Sequence, residues 1–427
     1  MGKGNVMRRP SQNALQLTIP VGDAAAASDL VAAIVQAPPP PPPPPRQGGP
    51  LLVRPKATPK KVFTEVTRIR YASDFCGMGT LSIALKEALK GIPDIDTEHA
   101  FACDNNKHCR DMTSYIEQPK FFDGDILSRN IGALPMAVSL YSLTAPCQGL
   151  SPAGKGLGIR DPRTRLLWKG VEVIEQKLPK AFILENSSAL AQFAKHAPFY
   201  RTLKKRLAAA GSGSGLSYLI FDKVLNSKVY VPQNRARTYL VGVRSDAYRK
   251  NGAKGIEVFP NPPPNRLFTL KDVVMPLTSD VQLLPANTAK SQRVLKAIRE
   301  CGVNTFVHPI IVDVAASDKF STWRNGEVQA ITMSRGCAKD AYWCTTKGGH
   351  LSATELAMLQ GFPREHIEGI KMELHKSDSI IGGCVGNAQT VPLLADLAAH
   401  VLYMSKSITK DQFIMMKLNI ERMKPFQ

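Results

Sequence analysis

The hydrophobic pattern from residue 62 onward alternates between two kinds of segment. Short apolar runs typical of buried strands occur in YASDF, HAFACD, AVSLYSLTAP, KAFILENS, YLIFDKVL and TYLVGV. Between them, apolar residues recur at helical spacing, as in LSIALKEALK and in the longer SALAQFAKHAPFYRTLKKRLAAAG. This alternation predicts an α/β fold in which helices cover both faces of a mostly parallel sheet.

The pattern changes three times along the chain, which divides it into four predicted regions. Residues 1–61 are a basic tail that contains eight consecutive prolines, so we expect disorder around a stiff polyproline II spacer. Residues 62–247 carry the α/β alternation, and residues 248–347 lose it, as an inserted smaller domain would. Helical patterns return in residues 348–427. The tail is either a ligand for a proline-binding module, a basic anchor or a passive linker.

Composition narrows the class of protein. The 427 residues are 44% hydrophobic, which is enough for a sizeable folded core, and carry a formal net charge of +20. That charge favours a polyanionic partner, nucleic acid first, because Lys and Arg neutralise phosphates. No apolar run is long enough to predict a membrane span. The eight cysteines include no CxxC pair, so we expect a reducing compartment and neither a zinc cluster nor a disulfide framework.

A glycine turn, DFCGMGT at residues 74–80, follows the first predicted strand and opens a helix. An α/β sheet binds nucleotide-like ligands at such turns. Asp104 ends the next strand, where it can accept ribose hydroxyl hydrogen bonds, and Asp125 lies in FFDGDI near the end of a third. The absence of GxGxxG favours S-adenosylmethionine over a dinucleotide. The alternative is a set of tight turns with helix-capping or surface acids.

Cys147 stands at the exit of the strand in LYSLTAPCQGLSPAGKGLGIRDPRTRLLW. A thiolate is a strong nucleophile, and basic groups or helix N-termini nearby can lower a cysteine pKa. The glycine-rich basic segment behind it could close on a phosphate backbone. A buried structural cysteine is the alternative interpretation.

Further polar residues follow the later strands. Glu185 comes after the apolar run AFIL, at the same expected end of the sheet, where its carboxyl group could lie beside the thiol. In VPQNRARTYLVGV, alternation places Arg235 and Arg237 on one side, where a pair of cations suits oxygen acceptors. A solvated edge strand would have the same pattern.

Together these motifs carry a resemblance. DFCGMG, Asp104, GDI, PCQGLSPAG, ENS, VPQNRAR, LSATELAMLQGFP and VGNAQTVP look like the ordered motifs of the cytosine-C5 DNA methyltransferases, over residues 72–401. The resemblance implies a Rossmann-like catalytic domain (62–247), a target-recognition domain (248–347) and late motifs that return to the catalytic domain (348–427). It also implies S-adenosylmethionine as cofactor, double-stranded DNA as partner, a monomer and no metal.

The resemblance further assigns roles. Cys147 would attack C6 of a flipped-out cytosine, Glu185 would bond the ring N3, and Arg237 would bond O2. Arg235, from the same motif, is the fourth catalytic residue implied. The nucleic-acid contacts implied are Ser151, Lys155 and Gln233. The cofactor-binding residues implied are Phe75, Gly77, Gly79, Asp104, Asp125, Ile126 and Asn387.

Two rivals stay open. An RNA or tRNA cytosine methyltransferase uses the same fold, although the Cys-Phe-Thr tripeptide typical of the tRNA-methylating relatives does not occur here. Thr80 and Ser187 depart from the family pattern, which leaves a catalytically silent nucleic-acid-binding relative as the second rival. The location predicted for a DNA-modifying enzyme is the nucleus, with an organelle or the cytoplasm as alternatives.

Overall fold

Seven strands form the central sheet, in the spatial order β3-β2-β1-β4-β5-β7-β6. The first five strands run parallel, whereas β7 runs antiparallel to both β5 and β6. The strands are β1 (Thr67–Asp74), β2 (Ile95–Cys103), β3 (Phe121–Asp123), β4 (Leu140–Leu143), β5 (Ala181–Ser187), β6 (Tyr218–Asn226) and β7 (Ala236–Arg244). The carboxyl ends of β1, β2, β4 and β5 therefore share one edge, and β7 begins at that edge.

The structure is a computed structural model. It describes residues 66–151, 157–250, 256–265, 267–276, 284, 287–305, 307–315 and 341–424. The predicted tail lies outside these residues, as does part of the predicted inserted domain. The boundaries of the four regions stay predictions.

Twelve α-helices occur within the described residues. They are α1 (Thr80–Leu89), α2 (Lys107–Ile116), α3 (Leu166–Lys177), α4 (Ala189–Gln192), α5 (Ala197–Ala209), α6 (Leu270–Val273), α7 (Ala289–Glu300), α8 (Ala353–Met358), α9 (Arg364–Glu373), α10 (Asp378–Val385), α11 (Val391–Met404) and α12 (Lys410–Glu421). None of these described helices has the length and apolarity that crossing a bilayer requires.

Successive residues of a central strand pack into two different hydrophobic cores, one on each face of the sheet. Tyr71 packs in the cluster that contains α1, α11 and α12, whereas Ala72 packs in the cluster that contains α3 and α5. Ile183 and Phe182 divide in the same way on β5. This alternation follows from the two-residue period of a strand and explains why central strands such as β5 are buried on both faces. The predicted α/β fold with a sheet covered on both faces is confirmed.

A second, three-stranded antiparallel sheet lies later in the chain, in the order β10-β9-β8. Its strands are β8 (Ile311–Asp313), β9 (Tyr342–Cys344) and β10 (Gly349–His350). Trp343 and Val312 pack with Val294 and Ala297 of α7 in a cluster of their own. Helix α7 was not predicted, because its mean hydropathy is low and only these two of its positions are buried.

The prediction of one continuous helix after β5 is wrong, because the segment forms two. The segment SALAQFAKHAPFYRTLKKRLAAAG forms α4, a 3-10 turn (Ala194–His196) and then α5. Pro198 occupies the first turn of α5, where its missing N–H costs nothing. A proline there starts a new helix, and the chain bends before it.

A buried ion pair fixes the carboxyl end of β1. Asp74 is fully buried and accepts two hydrogen bonds from Arg129, at 2.6 and 2.5 Å. Tyr141 of β4 donates a third, at 2.6 Å. One carboxylate thus joins β1, β4 and the segment after β3, and its charge is matched by a guanidinium that is itself buried.

We predict that Arg129→Met destabilises the protein by about 3–5 kcal/mol, because it leaves Asp74 buried without its counter-charge. Chemical denaturation followed by circular dichroism measures this. Arg68→Met removes an exposed pair with Asp96 and serves as the control, with an expected loss of about 0–1 kcal/mol. Equal losses in the two variants would contradict the assigned role of Asp74.

Candidate active site

The turn between β1 and α1 lies where the order of the sheet reverses, with β2 on one side of β1 and β4 on the other. Phe75, Gly77 and Gly79 all have positive φ angles, of 57, 58 and 73°. Glycine adopts this conformation at little cost, whereas Phe75 is strained. Thr144, just after β4, donates a hydrogen bond to the Phe75 carbonyl at 2.7 Å. The predicted cofactor turn is therefore held from both neighbouring strands.

Asp104 follows β2 and supports the same turn. One of its carboxylate oxygens accepts the Gly77 N–H at 2.9 Å, and the other accepts the Asn106 N–H at 2.9 Å. Burial raises the pKa of this carboxyl group, and the two backbone donors oppose that effect. Each oxygen keeps a second lone pair, so the group can still accept ribose hydroxyls.

The other predicted cofactor residues differ in exposure. Asp125 is exposed two residues beyond β3 and accepts the Leu127 N–H at 2.9 Å, while Ile126 is buried. Asn387 is exposed in the turn between α10 and α11 and reaches the rim of a pocket.

That pocket opens at the carboxyl ends of β1 and β4. It is lined by Ser73, Phe75, Cys76, Gly77, Thr80, Leu81, Ser142, Thr144, Asn387, Ala388 and Gln389. These lining residues include hydroxyl, amide and apolar groups and no Lys or Arg. Such a lining suits an adenosine-bearing cofactor without phosphates, since phosphates call for cations or glycine-rich backbone cradles.

Cys147 lies in the loop that follows β4. Thr144, which lines the pocket, belongs to the same loop. The Cys147 carbonyl accepts hydrogen bonds from Leu150 N and Ser151 N, at 2.9 and 2.8 Å, which form a compact turn. Asn186 at the end of β5 donates to the Ala145 carbonyl at 3.1 Å and ties the loop to the sheet. The thiol is partly buried, and every described cysteine is a free thiol.

Glu185 and Arg237 form an ion pair beside this loop, with 3.2 Å between Oε1 and Nε. Arg237 lies opposite Ser187 in the β5–β7 ladder, so it is the diagonal neighbour of Glu185 on the same face. Burial raises the pKa of Glu185, and Arg237 and then Arg235 oppose that rise. The sheet therefore places an acid and a cation together at the edge where β5 ends and β7 begins.

The charge around the thiol differs from the sequence-based expectation. Burial raises the pKa of Cys147, although the charges of Arg237 and Arg235 oppose the rise and that of Glu185 adds to it. Desolvation therefore outweighs the nearby cations in the free protein. The same set of interactions places Cys147, Glu185, Arg235 and Arg237 in one electrostatic neighbourhood.

Arg235 and Gln233 are interior residues. Arg235 precedes β7, is 3% exposed and donates to the Gly386 and Ala388 carbonyls, at 3.3 and 2.9 Å. Burial and then Arg237 lower its pKa to about 10. Gln233 is fully buried and donates to the Leu359 carbonyl at 2.9 Å. Neither side chain offers surface to a nucleic acid in this conformation, so we interpret both as positioning residues.

The loop residues predicted to close over DNA are only partly described. Ser151 is half-buried and its N–H bonds the Cys147 carbonyl. Lys155 lies outside the described residues, within the gap at 152–156.

Sequence reasoning missed several residues of the site. Ser73, Ser142 and Thr144 line the pocket, and Arg129 fixes the strand end beneath it. A signal for the first three exists, because hydroxyl residues interrupt apolar strands near their carboxyl ends. Arg129 has no such signal, since its partner lies 55 positions away in the chain.

Comparison with known proteins identifies the class and then the family. A seven-stranded sheet of this order, with one reversed strand, is the fold of S-adenosylmethionine-dependent methyltransferases. The S. pombe Dnmt2 methyltransferase superposes with a TM-score of 0.52 at 15% identity, over 79% of this chain and 99% of that one. The model of the C-5 cytosine-specific DNA methylase family matches residues 69–402, so the chain belongs to that family.

Curated relatives agree with this assignment. The type II methyltransferase M.BanI of Aneurinibacillus aneurinilyticus is 33% identical over 41% of this chain and 39% of its own length. M.MthTI of Methanothermobacter thermautotrophicus is 27% identical over 77% of this chain and 96% of its own. The match to M.BanI and two phage orphan methyltransferases spans less than two fifths of each of those relatives.

We predict opposite effects of two substitutions on the reactivity of Cys147. Glu185→Gln removes a charge that raises the pKa of the thiol, so alkylation by iodoacetamide at pH 7 should become about threefold to tenfold faster. Arg237→Gln removes the cation that most lowers that pKa, so alkylation should slow by a similar factor. Peptide mapping by mass spectrometry follows Cys147 alone. Changes of the same sign in both variants would refute this charge arrangement.

Proposed function

We propose that this protein is a DNA (cytosine-5-)-methyltransferase that transfers a methyl group from S-adenosylmethionine to C5 of a flipped-out cytosine. The observation that carries the proposal is the meeting of Cys147, Glu185 and Arg237 beside a cation-free pocket at the carboxyl ends of β1 and β4. Membership of the C-5 cytosine-specific DNA methylase family supports the same reaction.

The residues of the pocket fit S-adenosylmethionine, on which the family depends. Asp104 presents carboxylate lone pairs for a ribose diol, Phe75 offers an apolar ring, and Gly77 and Gly79 keep the backbone open to a ligand. When bound, S-adenosylmethionine supplies an electrophilic methyl group. Asp125, Ile126 and Asn387 complete the proposed contacts.

The chain's own residues perform the covalent chemistry in the proposed reaction. The Cys147 thiolate adds to C6 of cytosine, while Glu185 shares a proton with N3 and Arg237 bonds O2, so electron density moves to C5. C5 would then form its bond to the methyl group as the S–CH3 bond breaks, which leaves S-adenosylhomocysteine. Loss of the C5 proton to a base restores the C5–C6 double bond and expels the thiolate.

The raised pKa of Cys147 has a consequence for this sequence of steps. In the free protein most of the thiol is protonated at neutral pH, so the thiolate must form when the base arrives. A positively charged environment supports that ionisation, and Arg237 is the largest such contributor. Burial also raises the pKa of Glu185, which favours the protonated form that bonding to N3 requires.

The proposed substrate is double-stranded DNA, reached by base flipping, and the proposed state is a monomer. The charge of +20 supports a phosphate-bearing partner. The nuclear location and a proline-binding partner for the tail stay predictions, because residues 1–65 lie outside the described part of the chain.

We predict that DNA containing 5-fluorocytosine becomes covalently attached to the protein in the presence of cofactor, because fluorine at C5 cannot leave as a proton does. Denaturing electrophoresis detects the adduct. Cys147→Ala should abolish it while retaining the fold and much of the DNA affinity. Cys301→Ala, which alters a thiol in the α7 cluster, is the matched control and should leave it intact. An adduct that persists in Cys147→Ala would refute the nucleophile.

We also predict that duplex DNA is methylated faster than a structured tRNA at equal cytosine concentration. A mismatch opposite the target should tighten binding, because flipping an unpaired base costs less. Transfer of radiolabelled methyl groups measures the rates on DNA and on tRNA. Raising the salt concentration should weaken the binding of either nucleic acid. A higher rate on tRNA than on any DNA offered would replace the DNA assignment by the RNA one.

A further inference from the structure

The pocket lies on one particular side of the proposed cofactor site. Asp104, the proposed ribose ligand, follows β2, whereas Ser142 and Thr144 of the pocket belong to β4 and the loop that leads to Cys147. Since β1 separates β2 from β4 in the sheet, a cofactor with its ribose at Asp104 extends across β1 toward the thiol. The half of the cofactor beyond the sulfur would then fall in the pocket.

The N-terminus of α1 contributes one face of this pocket, through Thr80 and Leu81. The helix has ten residues, its N-cap is Gly79, no side chain caps its first turn, and that turn contains no acid. The positive end of the helix dipole is thus available to a ligand. A carboxylate is the group that such an end binds best.

Gln389, which also lines the pocket, provides a second and independent feature. Its side chain is 5% exposed, and its amide nitrogen is buried with no hydrogen-bond partner among the described residues. The neighbouring residues are satisfied: Thr390 donates to Gln360 at 3.0 Å, and Gln360 donates to the Ala388 carbonyl at 3.2 Å. An unpaired buried donor is costly, so its retention beside a pocket calls for an acceptor that arrives there.

We propose that the Gln389 carboxamide and the N-terminus of α1 bind the carboxylate of the amino-acid half of S-adenosylmethionine. The described lining of the pocket has no Lys or Arg, so the carboxylate there is held by neutral donors. Gln389 supplies the directional one. Arg235, which bonds the Gly386 and Ala388 carbonyls, holds the turn that presents it.

This inference rests on the proposed function, since it assumes that S-adenosylmethionine binds here. The experiment measures the affinity of wild type and Gln389→Met for S-adenosylmethionine and for decarboxylated S-adenosylmethionine by calorimetry. Methionine keeps the shape of the side chain and removes the donor. S-Adenosylmethionine affinity should fall about tenfold or more, because the lost hydrogen bond is to a charged group, whereas affinity for the decarboxylated compound should not change.

Two further variants make the result specific. Gln389→Glu places a like charge beside the carboxylate, so it should weaken S-adenosylmethionine more than Gln389→Met does and spare the decarboxylated compound. Gln118→Leu is the control for loss of a glutamine, because Gln118 is exposed in the segment before β3. It should leave both affinities unchanged. Circular dichroism confirms the fold of each variant.

The other possible outcomes distinguish failure of the carboxylate subsite from failure of the proposed function. Equal losses for both compounds would mean that Gln389 acts through another part of the cofactor or through the fold, and no loss for either would mean that it makes no contact. Both results reject the carboxylate subsite while leaving the proposed function in place. Failure of the wild type to bind S-adenosylmethionine would reject the proposed function itself.

Discussion

The carboxylate of Asp74, buried at the end of β1, is held by Arg129 and Tyr141, and the position of the whole site depends on this contact. The three residues come from the end of β1, the segment after β3 and the middle of β4, so one cluster of charge fixes strands on both sides of the point where the sheet order reverses. The cost of burying two ions is offset because they pair bidentately and Tyr141 adds a third hydrogen bond. The turn that follows can then hold Phe75 at a positive φ angle.

A second constraint operates where β5 meets β7. The reversed direction of β7 brings its first residues to the edge at which the parallel strands end, so Arg237 can reach Glu185. If β7 ran parallel to β5, its last residues, rather than Arg237, would lie at this edge. The reversal thus explains how a motif near residue 235 joins motifs near residues 147 and 185.

Local pattern predicted the parts of the fold that depend on local physics. The strands were recognisable because apolar runs of four to nine residues end at polar or glycine residues, and this also predicted that Cys147 and Glu185 share an edge. The break before Pro198 and the low-hydropathy helix α7 were missed, since helical periodicity continues across the first and is faint in the second. Pairings between distant residues, such as Asp74 with Arg129, leave no local trace.

The roles of the arginine motif illustrate the same limit. Alternation placed Arg235 and Arg237 on one side of a strand, but β7 begins at Ala236, so Arg235 precedes the ladder and turns into the interior. Burial and then repulsion from Arg237 lower its pKa to about 10. The effect of burial on Cys147 was equally inaccessible from sequence, because desolvation depends on what packs around the thiol.

In the proposed reaction, substrate binding changes the charge pairing that the free site has. Arg237 neutralises Glu185 in the absence of substrate, and burial raises the pKa of both Glu185 and Cys147. In the proposed reaction Arg237 turns to the cytosine O2, which loosens its hold on Glu185. A buried carboxylate with a weaker counter-charge binds a proton more readily, which is the state that bonding to N3 requires. In the proposed reaction, the arrival of the base therefore raises the proton affinity of Glu185.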